Sequence, residues 1–252
     1  MFSLSGKNAL VVGGSRGIGK GMALGLAKAG ASVILISRKQ EDLDVAAKEI
    51  SEISGSKAIG IAADISSLDG INSLVQKTIS QVGHIDILIN SAGVNVRKSC
   101  LELTEEDWDL VQNVQLKYVF FMCQAVAKHM VENEIHGKII NIASISSVIA
   151  LKNMISYCTA KGGLVQLTKA LALELAPYGI CANAMAPGYT STEMTKPIFS
   201  DPVRVQEMMP RLPMKRFGEP DDYEGIAIYL ASAYSNYLTG QLIAVDGGWL
   251  AS

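Results

Sequence analysis

The stretch ALVVGGSRGIG, residues 9–19, predicts a strand, a tight glycine turn and the first turn of a helix. Glycines at such a turn let the backbone approach a pyrophosphate closely, and the first N–H groups of the helix then bind the anion. The common dinucleotide pattern Gly-x-Gly-x-x-Gly does not fit, because counting from Gly17 and Gly19 places Met22 at the third glycine. Counting from Gly13 instead gives glycines separated by three residues and then by one.

Apolar runs alternate with amphipathic stretches along the rest of the chain. The pattern predicts strands at 8–12, 32–36, 58–62, 85–90, 137–142, 180–186 and 241–245. It predicts helices at 18–29, 40–53, 68–82, 105–132, 157–176 and 220–232. Such alternation builds parallel strands with right-handed crossovers, and ligands bind at the carboxyl ends of those strands. We expect residues 1–252 to form a single α/β domain, a Rossmann-type doubly wound sheet of about seven strands with helices on both faces.

The composition argues against several classes of protein. Of the 252 residues 49% are hydrophobic, which suffices for a large single core. The net charge is −2 and the basic residues are dispersed, so no nucleic-acid or membrane surface is expected. The first strand follows Met1 closely and no apolar run is long enough to span a bilayer, so we expect a cytoplasmic protein. The four cysteines form no Cys-x-x-Cys pair, and no metal site is predicted.

Tyr157 and Lys161 lie four residues apart in a predicted helix, so their side chains share one face. A tyrosine hydroxyl has an ordinary pKa of about 10 and is a poor acid at neutral pH. A nearby ammonium stabilises the phenolate, so we expect Lys161 to lower the pKa of Tyr157. Ser144 precedes the tyrosine by 13 residues and completes a candidate proton-transfer site. A solvated helix face is the alternative interpretation of the Tyr–Lys pair alone.

Several motifs together resemble the short-chain dehydrogenase/reductase family. They are the glycine spacing, residues 90–93 (NSAG), the Ser144, Tyr157 and Lys161 set, Pro187-Gly188 followed by Thr192, and residues 245–248 (VDGG). The resemblance runs nearly end to end and implies an oxidoreductase that interconverts a carbonyl and a secondary alcohol by hydride transfer. Ser144 would hydrogen-bond the carbonyl oxygen, Tyr157 would act as general acid or base, and Lys161 would hold the nicotinamide ribose. Ser146 and Ser147 compete for the serine role, but Ser144 has the family's usual separation from the tyrosine.

The resemblance also implies which residues hold a nicotinamide dinucleotide. They are Gly13, Ser15, Arg16, Gly17, Ile18, Gly19, Ser37, Arg38, Asp64, Ile65, Asn90, Ala92, Gly93, Tyr157, Lys161, Pro187, Gly188, Thr190 and Thr192. Asp64 is expected to accept from the adenine amino group, with Ile65 packed nearby. A turn or cap role for Asp64 stays open.

The end of the second strand favours NADP(H) over NAD(H). An NAD site normally carries an acidic residue there, which accepts from the adenosine ribose hydroxyls. This chain has Ser37 and Arg38 instead. The hydroxyl can donate to the extra phosphate of NADP, the guanidinium can bind it as a charged fork, and Arg16 supplies a second cation. The alternative is that Arg38 and Lys39 only begin a solvated helix.

The family adds an asparagine to the catalytic set, and this chain departs from that pattern. Counting seven residues from Trp108, or five back from Phe120, gives Gln115. Gln115 is the first candidate for the role, because its longer amide can replace the asparagine. Otherwise the helix shifts to bring Asn113 into place, or the water relay behind Lys161 is altered.

Residues 189–218 show no clear periodicity, and we expect a substrate lid there. The sequence around this segment is similar to sugar- or polyol-converting members of the family, including gluconate 5-dehydrogenase-like ones. Arg97 and Arg211 are candidates for binding a substrate carboxylate, or are merely solvated. One alternative is a 3-oxoacyl-thioester reductase, whose carrier protein would dock on a basic patch that includes Arg97 and Lys98. Another is a catalytically impaired NADP-binding sensor or scaffold, favoured only by Gln115.

The resemblance further implies a homo-oligomer, usually a tetramer. The long apolar helices at 105–132 and 157–176 are the expected interface. Their apolar faces are alternatively used up against the sheet.

Overall fold

The computed structural model describes residues 2–252, apart from the side chain of Pro197. Seven parallel strands form one sheet in the order β3-β2-β1-β4-β5-β6-β7. They are β1 Asn8–Val12, β2 Ser32–Ser37, β3 Ala58–Ala62, β4 Ile87–Asn90, β5 Lys138–Ile142, β6 Cys181–Pro187 and β7 Leu242–Val245. The predicted doubly wound α/β class is confirmed, and the strand boundaries agree with prediction to within two residues.

Helices cover both faces of this sheet. They are α1 Gly17–Lys28, α2 Gln40–Ser54, α3 Leu68–Val82, α4 Glu105–Gln112, α5 Tyr118–Glu132, α6 Ile155–Leu175, α7 Lys196–Phe199, α8 Pro202–Met208 and α9 Glu224–Ala231. Apolar residues of α1, α2 and α9 form the core on one face, and those of α3, α5 and α6 form the core on the other. Because the central strands are covered on both sides, β1 and β6 are buried throughout, and all their residues except Asn8 and Asn183 are apolar.

The chain reverses its direction of travel across the sheet at β1. It runs outward from β1 to β2 and β3, then crosses back to place β4 on the other side of β1. Val12 therefore lies between Ile36 and Asn90 in the register of the sheet. In open α/β sheets a crevice forms at such a reversal, beyond the carboxyl ends of the strands. The candidate residues follow these strands, so the topology gathers them at one edge.

Three predicted elements are corrected by the structure. The helix at 105–132 is interrupted by a π-turn, Asn113–Lys117, between α4 and α5. The helix at 220–232 begins with a 3₁₀ turn, Pro220–Tyr223. The segment 189–218 is not purely irregular, because it contains α7, α8 and the 3₁₀ turn Met209–Arg211. These helices are too short to show periodicity, and α8 begins where Asp201 caps its backbone N–H groups.

Two of the helices present apolar side chains to solvent. Leu110 on α4 is 48% exposed and Leu173 on α6 is 80% exposed. The apolar residues of these helices are therefore not all used up against the sheet. Across residues 2–252, no helix combines the length and the apolar character that crossing a bilayer requires.

Candidate active site

The glycine turn after β1 packs directly on the end of β4. Gly13 has a φ of +82°, and a Cβ atom on it would lie 2.6 Å from the backbone nitrogen of Ala92. A Cβ on Gly19 would lie 2.2 Å from the carbonyl oxygen of Gly13. No L side chain fits at either position, so both glycines are required by close backbone contact. The turn and residues 90–93 therefore form one continuous surface at the edge of the sheet.

The amino terminus of α1 opens into a cavity of about 640 Å³. Its first N–H groups are not capped by the side chain of the N-cap residue Arg16. The cavity runs from Ser15, Arg16 and Gly17 to Thr192, whose Cγ2 would lie 3.3 Å from a Cβ on Gly17. Uncapped N–H groups beside a basic side chain bind anions, so this cradle fits the pyrophosphate of a dinucleotide. Ser15, Ile18 and the glycines at positions 13, 17 and 19 belong to the same segment, the turn after β1 and the start of α1.

The end of β2 carries no acidic residue. Ser37 is half-buried and donates weakly to the carbonyl of Lys39 at 3.4 Å, whereas Arg38 is exposed. Asp64, at the end of the neighbouring β3, accepts from the backbone N–H of Ser66 at 3.0 Å. The hydrogen bonds from Ser66, and the positive charge of Arg38, lower the pKa of Asp64. Arg38 therefore faces the region beyond the ends of β2 and β3. Asp64 stabilises a turn, which is the alternative role considered for it in the sequence.

Asn90 is buried at the end of β4 and is bound within the protein. Its Nδ2 donates to Asn141 Oδ1 on β5 at 2.9 Å and to Cys123 Sγ on α5 at 3.3 Å. Asn141 in turn donates to Thr168 on α6 at 3.0 Å. Burial raises the pKa of the Cys123 thiol to about 12, so this thiol is unreactive. The network joins two strands and two helices beneath the site, and Asn90 therefore holds the site's framework.

Tyr157 and Lys161 lie on the same side of α6, as their spacing predicts. Lys161 Nζ is 5.6 Å from the centre of the tyrosine ring and donates to the carbonyl of Ile142 at 2.6 Å. Tyr157 is half-buried as a residue, but protein surrounds its hydroxyl. That burial raises the pKa of Tyr157 to about 12, with smaller lowering contributions from the Ser144 hydroxyl and the positive charge of Arg97.

The prediction that Lys161 lowers the pKa of Tyr157 is therefore wrong, because Lys161 is not among the groups that shift this pKa. Burial lowers the pKa of Lys161 itself to about 7, because the charged ammonium loses its hydration. An amine that is only partly protonated near neutral pH stabilises a phenolate weakly. Loss of hydration is therefore the largest cause of the pKa shift of both side chains. The depth of burial behind it cannot be inferred from their spacing along the helix.

Ser144 occupies the turn between β5 and α6. It caps the 3₁₀ turn Ile145–Ser147, where its Oγ accepts from the backbone N–H of Ser146 at 3.1 Å. The hydroxyl of Ser147 instead accepts from the backbone of Ser144 at 3.3 Å. Ser146 Oγ is buried and finds no partner among the described residues. Of the three serines, Ser144 is the one that acts on the Tyr157 hydroxyl.

Gln115 lies inside the π-turn and is buried. Its Nε2 donates to the carbonyl of Val94 at 2.6 Å, and a Cβ on Gly93 would lie 2.9 Å from the same nitrogen. The side-chain oxygen Oε1 is buried and has no hydrogen-bond partner within residues 2–252. Asn113 begins the π-turn, whereas Gln115 is the residue that contacts the loop after β4. π-turns are frequent at functional sites, and here one points an amide at the cofactor-side loop.

The segment after β6 mixes structural and site-facing residues. Pro187 is buried, and a Cβ on Gly188 would lie 2.6 Å from the Cα of Asp246. Thr190 is buried and its hydroxyl bonds the Gly188 carbonyl and the hydroxyl of Tyr223. The structure thus gives the Thr190 side chain partners within the protein, whereas Thr192 lines the cavity beside the glycine turn. Ile65, after β3, packs against the core on the other face of the sheet.

The structure adds residues that the sequence did not indicate. Trp249 is buried, and its ring packs edge-on against that of Tyr189, which follows β6, at 4.8 Å between ring centres. Asn95 Oδ1 and Trp249 Nε1 are buried without partners among the described residues. Trp249 lies 60 residues from Tyr189 along the chain, and no local pattern joins such distant positions.

The fold and the site together define a dinucleotide-binding oxidoreductase of the Rossmann class. A family model described as enoyl-(acyl carrier protein) reductase matches residues 12–250. The chain belongs to the short-chain dehydrogenase/reductase family, and the resemblance noted in the sequence is confirmed.

Similar proteins cover nearly the whole chain. The 2-dehydro-3-deoxy-D-gluconate 5-dehydrogenase of Escherichia coli (strain K12) is 42% identical over 250 residues, which are 99% of this chain and 98% of that protein. The gluconate 5-dehydrogenase of Gluconobacter oxydans (strain 621H) is 40% identical, covering 98% of this chain and 96% of its own. The crystal structure of a gluconate 5-dehydrogenase from Burkholderia cenocepacia J2315, in complex with NADP and tartrate, has a TM-score of 0.95 at 37% identity, covering 100% of this chain and 98% of that one.

Proposed function

We propose that this protein is an NADPH-dependent oxidoreductase that interconverts a ketone and a secondary alcohol on a sugar acid. The observation that carries the proposal is the meeting of Ser144, Tyr157 and Lys161 at the end of β5, beside a glycine turn that fits a pyrophosphate. The relatives that act on gluconate or deoxygluconate supply the substrate class.

The chain's own groups provide the proton and the hydrogen bonds of the reaction. When bound, a nicotinamide dinucleotide supplies hydride for reduction or accepts it for oxidation. Tyr157 donates its proton to the carbonyl oxygen in reduction, and a raised pKa keeps the hydroxyl protonated for that task. Ser144 stabilises the charge that develops on the same oxygen. Lys161 holds a proton close to the tyrosine, and its pKa near 7 suits exchange of that proton at neutral pH.

Gln115 positions the loop that borders the catalytic groups. Its amide nitrogen fixes the carbonyl of Val94, and its unpartnered oxygen is available to a water molecule. Gln112 on α4 donates to the carbonyl of Ser156, next to Tyr157, at 2.8 Å. Gln112 therefore connects α4 to the catalytic helix, and Gln115 connects the π-turn to the loop after β4. We assign to Gln115 the role that the family gives to asparagine.

Selection of NADP(H) over NAD(H) falls to the exposed cations near the adenosine end. Arg38 follows β2, where the extra phosphate is expected, Ser37 is the last residue of that strand, and Arg16 lies in the glycine turn after β1. Solved relatives of this chain contain NADP, as does the Burkholderia cenocepacia enzyme. A carboxylate at this position would repel the phosphate, and the sequence has none there. Asp64 remains the expected acceptor for the adenine amino group.

We infer further that residues 189–218 form the substrate lid of a single catalytic domain. This segment borders the cavity through Thr192 and packs against Trp249 through Tyr189. We also infer a cytoplasmic homotetramer, with α4 and α6 at the interface. The exposed leucines on those helices support an interface with a second copy.

Thioester reduction on a carrier protein is less well supported. The basic patch considered for a carrier begins with Arg97 and Lys98, but Lys98 is paired with Asp107 at 2.5 Å. That pairing neutralises half of the local charge. A non-catalytic sensor role would rest on Gln115 alone, and the intact hydrogen bond of its amide to Val94 speaks against a damaged site.

The test is the initial rate of NADPH oxidation with 5-keto-D-gluconate, a neutral diketone and an acetoacetyl thioester, with NADH run in parallel. We expect turnover of the keto acid with NADPH and loss of that turnover in Tyr157→Phe. Preference for the thioester would replace the sugar-acid assignment. NADPH binding without turnover of any carbonyl would favour the sensor.

A further inference from the structure

Trp249 connects the end of the chain to both sides of the substrate region. The residue is only 3% exposed and forms an apolar cluster with Ile145 and Leu212. Ile145 directly follows Ser144, and Leu212 belongs to the lid segment. The edge-on contact with Tyr189 adds the start of the lid to the same cluster. Trp249 is therefore placed between the catalytic serine turn and the lid.

The indole N–H of Trp249 lacks an acceptor within residues 2–252. An indole nitrogen can only donate a hydrogen bond, and a buried donor without an acceptor is costly. The described residues around the ring supply no acceptor, so an acceptor must come from a molecule that enters this region. The substrate side of the cleft is the adjacent source of such a group.

Arg211 lies over the face of the same ring. Its guanidinium carbon is 4.4 Å from the centre of the Trp249 ring, a cation–π distance. Its backbone carbonyl accepts from the hydroxyl of Ser252 at 3.0 Å, so the lid and the end of the chain are joined beside it. The cation–π contact and the backbone hydrogen bond hold Arg211 beside the ring, and neither occupies the N–H groups of its guanidinium.

The other arginines of the lid segment differ from Arg211 in one respect. Arg204 is paired with Asp201 at 3.2 Å, and Arg216 is paired with Asp222 at 2.7 Å. Among the described residues, no carboxylate lies within ion-pair distance of Arg211. The segment thus neutralises two of its three arginines and leaves the one beside Trp249 available to an external anion.

The electrostatic environment of Tyr189 points in the same direction. The positive charges of Arg97 and Arg211 both lower the pKa of Tyr189, against the larger raising effect of burial. Arg97 also acts on Tyr157 in the catalytic group. Two cations from separate loops therefore converge on the space between the lid and the catalytic tyrosine.

We propose that Arg211, held on the face of Trp249, binds the carboxylate of the substrate, and that the indole N–H of Trp249 donates to an oxygen of the same molecule. The inference rests on the proposed function, because it assigns the acid group of the sugar acid to a site. A guanidinium fork matches a carboxylate in shape and charge. Trp249 and Arg211 are then specificity-determining residues, separate from those that move the proton.

The test uses Trp249 as its own reporter. The chain has two tryptophans, so Trp108→Phe leaves Trp249 as the only indole fluorophore. In this background 5-keto-D-gluconate is titrated in the presence of NADP⁺. The oxidised cofactor cannot reduce the keto acid, so indole emission reports binding alone and gives the dissociation constant. Its neutral comparison ligand is 5-keto-D-fructose, which has the same chain length and no carboxylate.

We expect a saturable emission change with the keto acid. Arg211→Gln should raise its dissociation constant by about 10- to 100-fold, which corresponds to loss of a charge-assisted hydrogen bond. Arg204→Gln, which removes the same charge from α8, should change it less than about twofold. The constant for the neutral ligand should be the same in both variants. Equal constants for the keto acid in Arg211→Gln and Arg204→Gln would overturn the inference, as would equal weakening of both ligands in Arg211→Gln.

A second variant tests the indole N–H of Trp249 separately from its aromatic ring. Trp249→Phe keeps an aromatic face beneath Arg211 and removes the donor. We expect the KM for 5-keto-D-gluconate to rise several-fold, with kcat within about twofold. An unchanged KM would remove Trp249 Nε1 from the site. Saturable binding of the keto acid without turnover would retain the carboxylate site while the proposed reaction fails, so the two proposals are distinguishable.

Discussion

The two ends of the cleft differ in how deeply their charged groups are placed. Lys161 is buried at the catalytic end and the Tyr157 hydroxyl is enclosed by protein, whereas Arg16 and Arg38 are exposed at the phosphate end. Burial moves the pKa values of the catalytic pair to about 12 and about 7. Exposure leaves the two guanidinium groups accessible to a phosphate. We infer that the depth of the catalytic groups controls proton transfer, while surface charge controls which cofactor is bound.

Replacing the buried hydroxyl should have the largest effect. Tyr157→Phe removes the proton donor, so we expect kcat with 5-keto-D-gluconate to fall by about 10²- to 10⁴-fold. The dissociation constant of NADPH should stay within about twofold, since the phosphate end is untouched. Steady-state rates and fluorescence titration measure the two quantities. Tyr178→Phe, at a tyrosine that is 50% exposed, is the control. A Tyr157→Phe enzyme with a tenth or more of the normal rate would contradict the assignment.

Burial of Lys161 should appear in the stability of the protein as pH changes. Its pKa is lowered from 10.5 to about 7 on folding, so the folded state binds fewer protons than the unfolded state between these values. Its contribution to stability is complete above the unfolded pKa and is lost as pH falls through about 7.

The measurement for Lys161 compares the wild type with Lys161→Met, without added cofactor and at one protein concentration. Between pH 7 and pH 9 the free energy of unfolding of the wild type should rise by about 2 kcal/mol relative to the variant. Parallel pH profiles for the two proteins would show that the ammonium is solvated in the folded state.

At the exposed end, Arg38→Ala should change cofactor choice and leave the chemistry intact. We expect kcat/KM for NADPH to fall about 10-fold, a modest value because the guanidinium is in water, and kcat/KM for NADH to stay within about twofold. The loss should shrink at high salt, where exposed charges are screened. Lys39→Ala is the matched control for charge at the same helix start. Equal losses with both cofactors would assign Arg38 to the fold.

Gln115 should give the smallest effect, because it acts through a loop. Gln115→Ala should lower kcat several-fold, up to about 10-fold, since the carbonyl of Val94 loses its donor. Gln115→Asn should keep or raise turnover, because it restores the family's amide. The rates of the three proteins are compared at saturating NADPH. An unaffected Gln115→Ala enzyme would remove this residue from the mechanism.

The sequence predicts the sheet well because its signals are local. Glycine spacing at 13, 17 and 19 and continuous apolar runs determine a strand–turn–helix unit that the register of β1 then extends. The position of Tyr157 and Lys161 on one side of α6 follows from their helical spacing of four. Each of these features depends on neighbours along the chain, so pattern and structure agree.

The features that the sequence could not predict depend on how deeply a side chain is buried or on contacts between residues far apart in the chain. The pKa of Tyr157 moves opposite to the expected direction because burial outweighs the effect of charge. The π-turn at Gln115 is one extra residue in a helical turn, whereas the apolar pattern predicts a continuous helix over 105–132. Trp249 contacts Arg211 and Tyr189 only through folding, because neither residue is close to it in sequence.

The most direct test of the division between the two ends is one paired measurement. The dissociation constants of NADPH and NADH and the kcat with 5-keto-D-gluconate are determined for wild type, Tyr157→Phe and Arg38→Ala. We predict that Tyr157→Phe loses turnover and keeps the preference for NADPH, while Arg38→Ala keeps turnover and loses most of that preference. A variant at either end that changes both quantities together would contradict the division.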